Sequence, residues 1–193
     1  MSSEERGMAF IDFENINITA RNQHGLRYMN FNKLREILLK DLRCVGCTVY
    51  LPNQMKNLLS HIQKSGLEVR VVSPGKSIDG RLIFDLLTKA HAGAFDTAVI
   101  ASGDRDYIPV VEYVKGMKKK VLIGSFASAL AHGLSSVSDG VIDLDKHITE
   151  ISLEVQKYKC TDCGKDFELP FKLFPDQKPY CRDHIKSHKL ETP

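Results

Sequence analysis

Short, nearly unbroken apolar runs take turns with amphipathic stretches from residue 8 to residue 150. The apolar runs predict strands at residues 8–13, 47–51, 67–73, 97–101, 121–126 and 141–144. Between them, apolar residues recur at helical spacing: Leu34, Ile37, Leu38 and Leu42 within 32–43, then Leu82, Ile83, Leu86, Leu87 and Ala90 within 79–91. Further helices are expected over 54–64, 106–117 and 128–134. Strands apolar on both faces need cover on both faces, and strands joined by helices run parallel. The expected fold is therefore α/β, a Rossmann-like three-layer α/β/α sandwich around a parallel sheet.

A chain of 193 residues holds one such domain and a small appendage. The expected division is 1–150 for the α/β domain and 151–193 for a linker and a cysteine-bearing tail, with residues 146–158 helical. No apolar run approaches the roughly 18 residues that a membrane span requires. The start, MSSEERGMAF, is polar and acidic, which predicts a protein retained inside the cell, in the cytoplasm. Five cysteines, an odd number, argue against a disulfide framework. The net charge of +3 permits a nucleic-acid partner but is too small for a polyelectrolyte clamp.

In open parallel sheets, ligands bind beyond the carboxyl ends of the strands. Those ends carry acids. Asp12, Glu14 and Asn15 follow the first strand, Lys76 and Asp79 the third, and Ser102, Asp104, Arg105 and Asp106 the fourth. Each Asp can serve as a helix N-cap. As a set on one edge they call for a hard divalent cation, Mg²⁺ or Mn²⁺, because clustered carboxylates repel. The first and fourth strands are expected side by side, with Asp12 facing Asp104 across the crevice.

Three segments, residues 8–15 (MAFIDFEN), 75–85 (GKSIDGRLIFD) and 101–109 (ASGDRDYIP), resemble the signature segments of the NYN domain, the LabA-like branch of the PIN-like nuclease superfamily. The resemblance runs over residues 8–145 and implies a metal-dependent ribonuclease. It carries Asp12, Asp79, Asp104 and Asp106 onto the family's acidic, metal-holding set, Asn15 onto its amide and Ser102 onto its strand-end hydroxyl. Lys76 and Asp85 match outer positions of the middle segment. Gly80-Arg81 departs from the family pattern and brings a cation near the site. Asp85 lies six residues after Asp79, about 120° around a helix, so it is expected to be structural or to act from outside the inner ligand set. Asn15, Lys76, Arg81, Ser102 and Arg105 are the expected substrate contacts, the three cations toward RNA phosphates.

The tail holds Cys160-x2-Cys163 and Cys181-x2-His184. This is ligand spacing for one structural, tetrahedral Zn²⁺, with His188 as an alternative fourth ligand. The segment resembles a zinc-ribbon-like module with His184 in place of the last cysteine. Cys44-x2-Cys47 has no partner pair and is expected to be ordinary packing. From residue 151 on, eight Lys/Arg meet seven Asp/Glu, so no basic RNA clamp is evident there.

Together these features predict a metal-dependent endoribonuclease with a zinc module for RNA or a protein partner, including a second copy. The competing expectation is a non-catalytic RNA- or protein-binding module on the same fold. No Gly-x-Gly-x-x-Gly or Walker loop is present.

Overall fold

A computed structural model describes residues 4–188. The chain divides after Ile151 into two compact units.

The first unit is built on six parallel strands: β1 (Arg6–Asp12), β2 (Arg43–Pro52), β3 (Glu68–Val72), β4 (Thr97–Ala101), β5 (Lys120–Ser125) and β6 (Gly140–Asp143). Their order across the sheet is β3-β2-β1-β4-β5-β6, and β1 pairs directly with β4. The connections leave in opposite directions on either side of β1 and β4, so the switch point lies between those two strands.

The helices are α1 (Phe13–His24), α2 (Phe31–Leu38), α3 (Leu59–Lys64), α4 (Ile78–His91), α5 (Ile108–Gly116), α6 (His132–Val137) and α7 (Ile148–Ile151). Strand side chains alternate between two cores, as the period of two requires. Ala9, Ile11, Val49, Leu51 and Val99 join the core under α1 and α2. Phe10, Tyr50, Ala98 and Ile100 join the core under α4 and α5. Full burial of one such apolar side chain contributes about 1.5–3 kcal/mol, so both layers of helices are held by the strands between them.

Two expectations need correction. Residues 13–24 were not expected to be helical, yet they form α1. Its buried stripe is only Phe13, Ile16 and Ala20 among polar and β-branched residues, too sparse for a periodicity signal. What fixes the helix is its ends. Asp12 caps the first turn through the Asn15 N–H, and Gly25, with φ of 63°, closes the last. The second correction concerns residues 146–158. Helix α7 stops at Ile151, and residues 156–159 are extended.

The second unit is a hairpin followed by a knuckle. Strands β7 (Gln156–Lys159) and β8 (Asp166–Leu169) pair antiparallel, with Tyr158 opposite Phe167. A single short turn, α8 (Ile185–His188), follows Cys181. Among the described residues, no helix is long and apolar enough to cross a membrane.

Candidate functional site

Three short stretches at the carboxyl edge of the sheet make the acid site. Asp12 is the last residue of β1. Asp79 lies in the first turn of α4, which is capped not by that acid but by Ser77, whose Oγ accepts the Gly80 N–H at 3.0 Å. Asp104 and Asp106 lie in the turn after β4, where the Asp104 carboxylate accepts the Asp106 N–H at 3.0 Å. Oxygens of Asp79, Asp104 and Asp106 all lie within 4.8 Å of one another. Among the described residues none of these three acids forms an ion pair. Such a donor set fits a hard, oxygen-seeking cation.

Asp12 is not one of that trio. It lines the same cleft as Asp79 and Asp104 but is only 5% exposed. One carboxylate oxygen accepts the Asn15 N–H at 3.1 Å, and the other meets Tyr107 Oη at 3.3 Å and Ser102 Oγ at 3.5 Å. The physical reason is its place as the last strand residue, where it is committed to capping α1. Burial pushes its carboxyl up to about 6, the Asn15 N–H opposes this, and the Asp79 charge adds to it.

A raised carboxyl disfavours the folded state once it ionises. The unfolded chain releases this proton near 4 and the folded chain near 6, so stability falls as pH rises through that window. The cost above the window is on the order of 3 kcal/mol. Asp12→Asn keeps an oxygen for the Asn15 N–H and removes the charge. In buffer free of Mg²⁺ and Mn²⁺ it should stabilise the first unit at pH 7.5 by a sizeable part of that amount. Most of the gain should vanish by about pH 4. Chemical denaturation at the two pH values checks this; an equal effect at both would rule out the buried charge as its source.

Tyr107 is the residue that sequence reasoning missed. It is fully buried, and its hydroxyl reaches Asp79 Oδ1 at 2.7 Å as well as Asp12. Burial, then the charges of Asp12 and Asp79, hold that hydroxyl far above the usual tyrosine range. It is a permanent donor whose one proton is shared between two carboxylates. The available signal was the aromatic directly after Asp104-x-Asp106.

The expected substrate contacts divide. Asn15 spends Oδ1 on the Gly103 N–H at 3.0 Å and so fastens the acid-bearing turn to α1. Gly103 has no room for a side chain, since a Cβ there would sit 2.2 Å from the Ala129 carbonyl oxygen. Ser102 is fully buried, bonded to Asp12 and to the Asp104 N–H, and so supports the site rather than facing a substrate. Lys76 lines the open cleft of about 450 Å³ that also contains Asp12, Asp79 and Asp104. Arg105 is exposed and is not among the cleft's lining residues. Arg81, expected beside the acids, turns away: its Nε pairs with Asp85 at 3.2 Å. Asp85 also accepts the Tyr50 hydroxyl at 3.1 Å, which makes it structural, as its position on the helix requires.

In the second unit, Cys160, Cys163, Cys181 and His184 bring one donor atom each within 4.8 Å. The Cys163 and Cys181 sulfurs are 3.8 Å apart, and His184 Nδ1 lies 3.3 Å from Cys181 Sγ and 3.6 Å from Cys160 Sγ. Tetrahedral Zn²⁺ with Zn–S near 2.3 Å and Zn–N near 2.0 Å needs ligand separations of roughly 3.5–3.8 Å. The donor set therefore fits. Burial opposes ionisation of Cys160, but backbone N–H groups of Cys181, Cys163 and Asp162 bring its thiol down to about 6, toward the thiolate that a metal requires. Gly164, with φ of 69°, makes the turn that returns its N–H to the Cys160 carbonyl. His188 lies outside the cluster: its Nε2 pairs with Asp162 at 2.8 Å and its ring stacks on Tyr180. Cys44 and Cys47 both lie on β2, and burial pushes the Cys47 thiol up to about 12, an unreactive state.

Comparison with known proteins adds three findings. The NYN domain family profile matches residues 6–145. A search of curated proteins finds no match. A crystal structure of a Vibrio parahaemolyticus RIMD 2210633 protein of unknown function is similar in fold, with a TM-score of 0.64 at 18% identity. The match covers 75% of this chain and 96% of that one.

Proposed function

Because this chain belongs to the NYN domain family, we propose that it is a metal-dependent ribonuclease whose acid cluster holds Mg²⁺ or Mn²⁺. The observation that carries this reading is the convergence of Asp79, Asp104 and Asp106 within 4.8 Å of one another, with Asp79 and Asp104 lining an open cleft. Such an ion, when bound, supplies a Lewis acid for a phosphodiester and a water of lowered pKa. The other tasks fall to the chain itself. Asp79, Asp104 and Asp106 are the direct ligands, and the buried charge of Asp12 adds to the negative field behind them. Tyr107 Oη keeps its proton between Asp79 Oδ1 and Asp12 Oδ2, which fixes the Asp79 carboxylate. Asn15 and Ser102 hold the turn that carries Asp104 and Asp106. Lys76, on the cleft wall, and the exposed Arg105 serve substrate phosphates.

Cys160, Cys163, Cys181 and His184 bind one structural Zn²⁺, since four protein ligands leave no open position for chemistry. The module they close orients RNA or a protein partner, including a second copy of the chain. The thiolate-rich site and odd cysteine count accord with work in the reducing cytoplasm.

The test is incubation of the purified protein with mixed RNAs in Mg²⁺ or Mn²⁺, then after chelation, then with the ion restored. Cleavage should follow the ion through loss and recovery. RNA that is bound but never cut under any divalent ion would replace this reading with a non-catalytic RNA- or protein-binding module.

A further inference from the structure

Next to the acid cleft lies a second groove, of about 790 Å³, between β3 and α4. The two share Val72, Ser73, Lys76 and Ser77 in their walls, so they are continuous. Strand β3 is the edge of the sheet. Two apolar side chains stand open in this groove, Phe84 at 62% exposure and Val71 at 38%. A lone exposed apolar residue needs no explanation. Here, however, the ring lies among cations. The Arg81 guanidinium carbon is 6.0 Å from the Phe84 ring centroid. Arg70 and Lys76 line the same groove.

Asp85 organises the two arginines. Its side chain is only 14% exposed and pairs with Arg81 Nε at 3.2 Å and Arg70 Nε at 3.8 Å. Arg70 also pairs with Glu68 at 2.6 Å, whereas Arg81 has no second acidic partner among the described residues and Lys76 has none. An Arg held by one nitrogen keeps further donors for a ligand.

We propose that this groove is a subsite for an unpaired base of the RNA, stacked on Phe84, with Arg81 and Lys76 on the adjoining phosphates. The proposal rests on the ribonuclease reading and extends it to a stretch of strand flanking the cut. A ligand with a flat π-face and negative charge uses the exposed ring together with Lys76 and the remaining donors of Arg81. A peptide added to the β3 edge would use the backbone and leave the cations idle. A base within a duplex has its faces covered and could not stack.

Binding is measured with a fluorescent single-stranded RNA of about twelve nucleotides, on the full chain carrying Asp104→Asn so that the RNA survives, in Mg²⁺. Adding Phe84→Ala should weaken binding roughly 5- to 100-fold, the range for loss of one base–aromatic stack. Phe84→Trp should restore it, and an RNA made abasic at successive positions should lose the difference at one of them. Arg81→Ala should weaken binding and lower its salt dependence. Equal affinity with and without Phe84, or an unchanged loss on every abasic RNA, would overturn the subsite even if the wild-type protein cuts RNA. Conversely, a wild-type protein that binds through Phe84 but never cuts would keep the subsite and remove the nuclease reading. Pairing of a peptide rather than RNA to β3, seen as protection of its amides, would also overturn it.

Discussion

Asp104→Asn should abolish divalent-dependent RNA cleavage, by at least about 10³-fold, while the fold survives. The size follows from the loss of several kcal/mol of charge stabilisation at the phosphodiester, at about 1.4 kcal/mol per tenfold in rate. Survival of the fold follows from geometry. The Asp104 carboxylate accepts the Asp106 N–H at 3.0 Å, and an Asn oxygen accepts the same bond. Removing one of three clustered negative charges also relieves repulsion, so the variant's melting temperature should be unchanged or higher. Mn²⁺ binding, read by the loss of its free-ion paramagnetic resonance signal, should weaken in parallel. Wild-type cleavage by the variant would move the chemistry elsewhere, whereas lost cleavage with a collapsed melting temperature would be a folding effect.

Changing Cys160 and Cys163 to Ser should remove the bound zinc and unfold the second unit, leaving the first intact. Among the described residues beyond Ile151, only Cys160 and Cys181 are buried. Phe171 and Phe174 stay exposed, at 56% and 76%. A hairpin of two four-residue strands with no apolar core is not stable alone. On the zinc reading the metal would stand where a core would, and structural zinc binding is worth about 10–16 kcal/mol at pH 7. Metal analysis should fall from one zinc per chain to none, and limited proteolysis should trim residues beyond Ile151 and stop there. No zinc in the wild-type protein, or zinc retained by the variant, would refute the assignment. A first unit that unfolds together with the module would refute its independence.

Much of this molecule is legible in one dimension because the relevant physics is local or periodic. Runs such as residues 98–101, apolar at every position, demand cover on both sides and so predict a parallel sheet within helices. Two knuckle-spaced ligand pairs predict a metal because a short chain between them closes easily. The acids at the end of β1, after β4 and in the first turn of α4 reach one edge because parallel strands share a direction.

What the tertiary structure alone decided is where each of those side chains points. Asp12 ends β1 and Asp104 lies in the turn after the neighbouring β4, yet Asp12 is buried while capping α1 and Asp104 is only half-buried. The turn is held there by Asn15 across 88 residues of sequence and by the tight fit of Gly103 against Ala129. Tyr107, in the turn just before α5, becomes part of the site because its buried hydroxyl reaches both Asp79 and Asp12, and Arg81 leaves it because it pairs with Asp85, which the Tyr50 hydroxyl of β2 also holds. His184 joins the cysteine sulfurs and His188 does not because the short helical turn from Ile185 aims His188 at Asp162. Each of these choices depends on contacts between residues far apart in the chain, and composition, spacing and periodicity carry no term for them.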